Sequence, residues 1–153
     1  MDLDAEIEAR CCCAVADIFA HDGETEFRRI EKETLSDILS AHAQDTSIPA
    51  NTTLVLALDG GAVMTPECEQ MVHGQTKCIY LRTSVKELVA RLTDESAGRP
   101  LLAASDLKTR IETLMSLRME TYERTAHLII DSDSKTIDEV GKEIITRMAT
   151  CKP

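Results

Sequence analysis

The chain predicts an α/β fold, a three-layer sandwich with a mainly parallel sheet flanked by helices. Three observations predict it. First, Thr53-Leu54-Val55-Leu56-Ala57-Leu58 runs straight into Asp59-Gly60-Gly61. An apolar run of that length, closed by glycines, reads as a strand buried on both faces, as strands of parallel sheets are. Second, residues 77–82 (Lys-Cys-Ile-Tyr-Leu-Arg) and 128–131 (Leu-Ile-Ile-Asp) have the same short, apolar character. Third, segments with helical spacing separate these runs, and strands alternating with helices build parallel sheets. In open α/β sheets ligands bind at the carboxyl ends of strands, so residues 58–62 are expected to floor a binding site. The two glycines there allow a sharp turn and a close backbone approach.

In chain order, residues 4–10 read as a short helical turn and 14–20 as a second, with Val15, Ile18 and Phe19 at i, i+3, i+4. Asp22-Gly23 breaks it. A longer helix is expected over about 24–42, its apolar side formed by Phe27, Ile30, Leu35, Ile38 and Leu39. Residues 44–51 are a polar loop holding Pro49. Pro66 opens a short helix to about His73, proline being suited to a first helical position. Ser84 and Glu87 have capping-box spacing for a helix to about Leu92. Residues 93–100 are polar, contain Gly98 and end in Arg99-Pro100, and read as a loop. Helices are expected at 106–124 and, after a second capping box of Thr136 and Glu139, to about Ala149. Three strands for seven helical pieces is a narrow platform, since both faces of a parallel sheet must be covered.

The 153 residues suffice for one domain with a real core, and no linker or repeat divides them. At 43% hydrophobic and 29% charged the composition is globular. No apolar run approaches the roughly 20 residues that span a bilayer, and the acidic start is unlike a signal peptide. A soluble cytoplasmic protein without membrane partners is therefore expected. A net charge of −10 argues against nucleic acid as partner, because phosphate neutralisation needs clustered Lys and Arg. It leaves room for phosphate chemistry in one small basic pocket. Cys11, Cys12, Cys13, Cys68, Cys78 and Cys151 contain no Cys-x-x-Cys pair, so free thiols that pack as small hydrophobes are expected.

Three arginines and two carboxylates stand out. Arg28 lies within an amphipathic helix, Arg99 in the loop and Arg118 near the apolar side of the 106–124 helix. Arginine suits bidentate recognition of carboxylate and phosphate, although each taken singly also reads as a surface ion pair. Asp2 and Asp4, two apart on an extended segment, would point the same way and could hold a hydroxyl and a metal-bound water. The other reading is a frayed acidic terminus.

An ordered set of motifs joins these residues. Asp2-Leu3-Asp4 comes first, then Ala16-Asp17-Ile18-Phe19, Gly23-Glu24 and Phe27-Arg28-Arg29-Ile30-Glu31. Gly60-Gly61-Ala62-Val63, Tyr80-Leu81-Arg82, Arg99-Pro100-Leu101-Leu102-Ala103, Arg118 and Tyr122 follow. Over nearly its whole length the chain resembles the shikimate kinase family, P-loop kinases of the nucleoside-monophosphate-kinase type. The resemblance implies transfer of the γ-phosphoryl of MgATP to the 3-hydroxyl of shikimate, in the pathway to chorismate and the aromatic amino acids. It implies that Asp4 binds the shikimate hydroxyls and serves as base or orienter, and that Asp2 holds the Mg2+ shell through water. Arg28 and Arg118 would clamp the shikimate carboxylate, with Gly60 and Gly61 adding backbone contacts. Arg99 would be the arginine of a lid around 93–105, reaching the phosphates, and Lys135 would flank the nucleotide.

The chain also departs from the family pattern. The family's Gly-x-x-x-x-Gly-Lys-Ser/Thr loop, which cradles the phosphates, occurs nowhere in the 153 residues, and the first motif present is the Asp-x-Asp that follows it. A truncated P-loop kinase is therefore expected, with impaired turnover and an incomplete sheet open to self-association. The alternative is a degenerate, non-catalytic relative that binds shikimate or a partner chain. A gluconate-kinase-like enzyme fits the Phe-Arg-Arg and Arg-Pro-Leu-Leu-Ala segments less well. Asp59 replaces the first of three family glycines, and Cys11-Cys12-Cys13 stands where the family usually has a glycine.

Overall fold

The computed structural model describes residues 1–44, 53–95 and 104–150. Most of the expected 44–51 loop, and residues 96–103 of the expected lid, lie outside them. The chain divides into two compact units, Met1–Thr76 and Lys77–Pro153.

The first unit is built on three helices, α1 (Leu3–Cys11), α2 (Val15–His21) and α3 (Gly23–Gln44), followed by a 3-10 turn (Ala62–Met64) and α4 (Pro66–Gln75). Asp2 caps α1: its backbone is extended and its carboxylate accepts from the Ala5 amide at 3.1 Å, satisfying one of the donors a helix start leaves unpaired. Asp4 therefore lies in the first helical turn, and the expected extended Asp2–Asp4 pair is corrected to a cap and a first-turn residue. The core gathers Leu3 and Ile7 of α1, Ile18, Phe27 and Leu35, with Ala62, Val63, Cys68 and Val72 from the second half. Phe19 and Phe27 stack with ring centroids 4.4 Å apart.

The fully buried stripe of α3 is Phe27, Glu31, Thr34 and Leu35, whereas Ile30, Ile38 and Leu39 are half-buried. Two polar residues thus occupy positions where the apolar pattern expects aliphatic ones. The 53–58 run is also corrected. It is extended and alternates, with Leu54, Leu56 and Leu58 half-buried, while Thr53, Val55 and Ala57 are exposed, Val55 at 75%. Among the described residues its pairing is one parallel bridge, Asp2 to Ala57, held by the bonds from Ala57 N to Met1 O and from Leu3 N to Ala57 O, both 3.0 Å. With a neighbour of three residues on one side, the run has a half-buried, period-two character and is not buried on both faces.

The second unit contains β1 (Ile79–Arg82), α5 (Val85–Glu95), α6 (Ala104–Thr125), β2 (Leu128–Asp131) and α7 (Ile137–Thr150). β1 and β2 pair in parallel, Ile79 with Leu128 through Arg82 with Asp131. The long helical crossover between them is the connection that parallel pairing requires. Among its described residues the buried apolar ones are Ile111, Leu128 and Ile130. Thr136 and Glu139 form the full capping box expected: each side chain takes the other's backbone amide, at 2.8 and 3.3 Å. At α5 only half the box forms. Ser84 accepts from the Glu87 amide, but the Ser84 amide goes to Asp133 at 2.8 Å, because the Glu87 carboxylate is engaged by Arg91 at 2.9 Å. Residues 93–95 of the expected lid belong to α5, and 104–105 to α6. Among the described residues no helix is long and apolar enough to cross a membrane.

Candidate functional site

The centre of the first unit's site is Arg28. Its position on α3, one residue past buried Phe27, brings the guanidinium to 5.2 Å from the Phe27 ring centroid. Three residues along the same helix face, Glu31 is fully buried, and both its oxygens accept from Arg28 Nη1, at 3.0 and 2.9 Å. A carboxylate so deep is tolerable only because this partner is present. Burial pushes the Glu31 carboxyl above the ordinary range, and the Arg28 bond and charge pull it back only in part. Burial also works against the Arg28 charge, but the Glu31 bond and the charges of Glu31, Asp59 and Glu24 outweigh it. Glu24 contributes a second, looser carboxylate 3.6 Å from Nη2.

The 59–61 turn closes on the same guanidinium. The Gly61 amide donates to the Asp59 carboxylate, and Ala62 N to Asp59 O at 3.3 Å. A side-chain acceptor reaching the amide two residues on is the usual way an aspartate fixes a turn. Gly61 is buried while Asp59 and Gly60 are exposed. A Cβ on Gly61 would lie 2.5 Å from Arg28 Nη2 and 2.7 Å from Nη1. The glycine is thus required by close approach, since its φ of −89° suits any residue. Gly61→Ala is expected to push the guanidinium off its Glu31 bond and to cost about 1–3 kcal/mol by overpacking, read by chemical denaturation.

Asp4 joins this cluster. Its Oδ1 is buried and lacks a hydrogen-bond partner among the described residues. Burial first, then the charges of Asp59, Asp2 and Glu8, raise its carboxyl above the ordinary 3.8, against a smaller lowering by Arg28. A raised, half-buried carboxylate with an unused oxygen beside an arginine can accept a hydroxyl and hold its proton. Asp2 spends one oxygen on the Ala5 amide. Among the described residues no three His, Cys, Asp or Glu converge as a metal site. A single exposed carboxylate still fits Mg2+, which is held by one or two carboxylates together with water and phosphate oxygens.

In the second unit, Arg118 is partly buried on α6. Lys135 lies two residues before α7, and its Nζ is 2.5 Å from Glu143 Oε2, so its charge is neutralised locally. Arg99 lies outside the described residues. Glu31 closes the Phe27–Glu31 motif, but motif reading gave it no role. The signal was its i+3 spacing from Arg28 on a face that already holds Phe27 and Leu35.

A family profile described as shikimate kinase matches residues 1–149. A curated shikimate kinase from Thermus thermophilus is 33% identical over 148 residues, 97% of this chain and 74% of that protein. One from Mycobacterium tuberculosis is 36% identical over 153 residues, all of this chain and 80% of that protein. A solved shikimate kinase from Acinetobacter baumannii, in complex with shikimate, is similar at a TM-score of 0.80 and 25% identity, over 99% of this chain and 78% of that one. The shikimate kinase of Bacteroides thetaiotaomicron shares the fold at a TM-score of 0.79 and 21% identity, over 98% of this chain and 81% of that one. The helix-rich α/β fold with a parallel pair, the Asp-x-Asp beside Arg28 and the profile over 149 residues agree: the chain belongs to the shikimate kinase family.

Proposed function

We propose that the chain serves the transfer of the γ-phosphoryl of ATP to the 3-hydroxyl of shikimate, giving ADP and shikimate 3-phosphate, in the cytoplasm. The observation that carries this reading is the buried Oδ1 of Asp4, without a hydrogen-bond partner among the described residues, in the same cluster as the Arg28 guanidinium. One group accepts a hydroxyl, the other a carboxylate, which are the two functions shikimate presents. Arg28 binds the carboxylate, and Glu31 holds the guanidinium in place at 2.9–3.0 Å. Gly60 and Gly61 bring backbone close to the ring. Arg118 is the second carboxylate-binding arginine and Arg99 the phosphate-facing one, both on the family resemblance alone.

In the reaction the shikimate oxygen attacks the γ-phosphorus. The new O–P bond forms as the bond to the β-phosphate bridging oxygen breaks, ADP leaves, and the hydroxyl proton passes to the Asp4 carboxylate. Mg2+, when bound with ATP, neutralises charge on the phosphates. Asp2 is the residue that would hold its water shell. Phosphoryl transfer rests on positioning and charge stabilisation more than on covalent chemistry. Asp4 and Arg28 therefore act chiefly by fixing the attacking oxygen.

The 153 residues contain no Gly-x-x-x-x-Gly-Lys-Ser/Thr segment. That observation favours a second reading for these residues as they stand: shikimate binding without efficient transfer. Removal of a single oxyanion donor already costs about 10²–10³ in rate. In a coupled assay with MgATP and shikimate, the 153-residue chain is expected to turn over at least about 10³-fold more slowly than an ordinary kinase rate of roughly 1–100 per second. Turnover within that range would mean that another group cradles the phosphates.

A further inference from the structure

We propose that Asp59 is a specificity-determining residue of this site: its carboxylate occupies the Gly61 amide beside Arg28 and weakens binding of any ligand that brings a carboxylate there. The inference rests on the reading of the Arg28 cluster as the acid-binding pocket.

The geometry carries it. Asp59 folds back on its own turn, so the Gly61 amide already has an anionic acceptor. The Ala62 N to Asp59 O bond, 3.3 Å, keeps that turn closed. Gly61 is in turn the residue whose α-carbon faces Nη1 and Nη2 of Arg28. The same guanidinium already meets the buried Glu31 at 2.9 Å and Glu24 at 3.6 Å. The Asp59 charge is felt at Arg28, Glu31 and Asp4 alike. One cation is therefore shared among several carboxylates before any ligand arrives. A ligand carboxylate seated on Arg28 must displace Asp59 from Gly61 or sit against its charge, and like charges brought together oppose binding. The aspartate thus behaves as a tethered competitor for the acid group.

Two substitutions separate charge from turn geometry. Asp59→Asn keeps an oxygen acceptor for the Gly61 amide and removes the charge. Asp59→Gly removes both. Each variant and the unaltered chain are titrated calorimetrically with shikimate and with its neutral methyl ester, after circular dichroism and a thermal melt establish folding. The expected result is a gain of about tenfold in shikimate affinity for Asp59→Asn, with ester affinity unchanged within about twofold. Asp59→Gly gains at least as much, and carries the same test if the Asn variant does not fold. A shikimate gain below about threefold overturns the proposal. So does an equal gain for acid and ester, which would make the effect one of turn geometry. If the folded unaltered chain and both variants all fail to bind shikimate, the reading of the pocket fails together with the proposal. Binding by the unaltered chain with no gain in the variants removes the proposal alone.

Discussion

Arg28→Ala is expected to cost about 3 kcal/mol of folding stability at pH 7, because it strands a fully buried carboxylate. In the native protein both Glu31 oxygens rest on Arg28 Nη1. Removing the guanidinium takes away both hydrogen bonds and the charge that offsets burial. Glu31 can then escape only by taking up a proton. Its carboxyl is already pushed up by burial, and without Arg28 it rises further. The sign follows directly. A carboxyl whose folded value lies above its unfolded value makes the folded state bind more protons, so stability falls as pH rises through that window. The deficit of Arg28→Ala should therefore be largest at neutral pH and shrink as the medium is acidified. Urea melts at several pH values read it. A deficit that does not vary with pH would mean that Glu31 finds another partner.

Asp4→Asn is expected to raise the melting temperature while weakening shikimate binding about 10- to 100-fold, the worth of a hydrogen bond to a charged group. The two effects share one origin. Burial and the nearby Asp59, Asp2 and Glu8 charges raise the Asp4 carboxyl above 3.8. Its ionised form thus costs stability at pH values above that raised position, and the cost is absent below the ordinary value of 3.8. The neutral amide removes the cost. It also replaces the charged acceptor by a weaker, uncharged amide oxygen, at a site where Oδ1 has no hydrogen-bond partner among the described residues. A site kept at the expense of stability is the common pattern at functional positions. In the unaltered chain, shikimate affinity should fall as pH drops through the raised Asp4 value. Calorimetry across pH and a thermal melt check both parts. A lower melting temperature for Asp4→Asn would show that the carboxylate is structural.

Most helices of this fold were legible in the sequence, because their signals are local. Pro66 at the first position of α4 and the mutual box of Thr136 and Glu139 fix helix starts within a few residues. β1 and β2 were legible too, as short apolar runs on either side of a long crossover. The 53–58 run shows where such reading stops. Its side chains look like a doubly buried strand, yet burial of a strand depends on how many neighbours it has, and that is not written in the strand itself. Glu31 was hidden for the opposite reason. A glutamate on an amphipathic helix normally marks the wet face, and only the arginine three residues earlier allows it inside. The pairing of Lys135 with Glu143, eight residues on, was likewise not legible, because it depends on how the turn before α7 folds back onto that helix. Asp4, Arg28, Gly60 and Gly61 were found as motifs. That their first unit gathers Asp4, Arg28 and Gly61 around one buried ion pair is a tertiary fact.

The most direct test of shikimate recognition through Arg28 is a calorimetric titration of the folded 153-residue chain with shikimate, repeated on Arg28→Lys. Lysine keeps a positive charge beside Glu31 but loses the planar fork that receives a carboxylate. Saturable binding with a dissociation constant of roughly 10 μM to 1 mM is expected for the unaltered chain, weakened about tenfold or more in Arg28→Lys. A folded chain that gives no saturable heat with shikimate, or an Arg28→Lys variant that binds it equally well, would contradict the account.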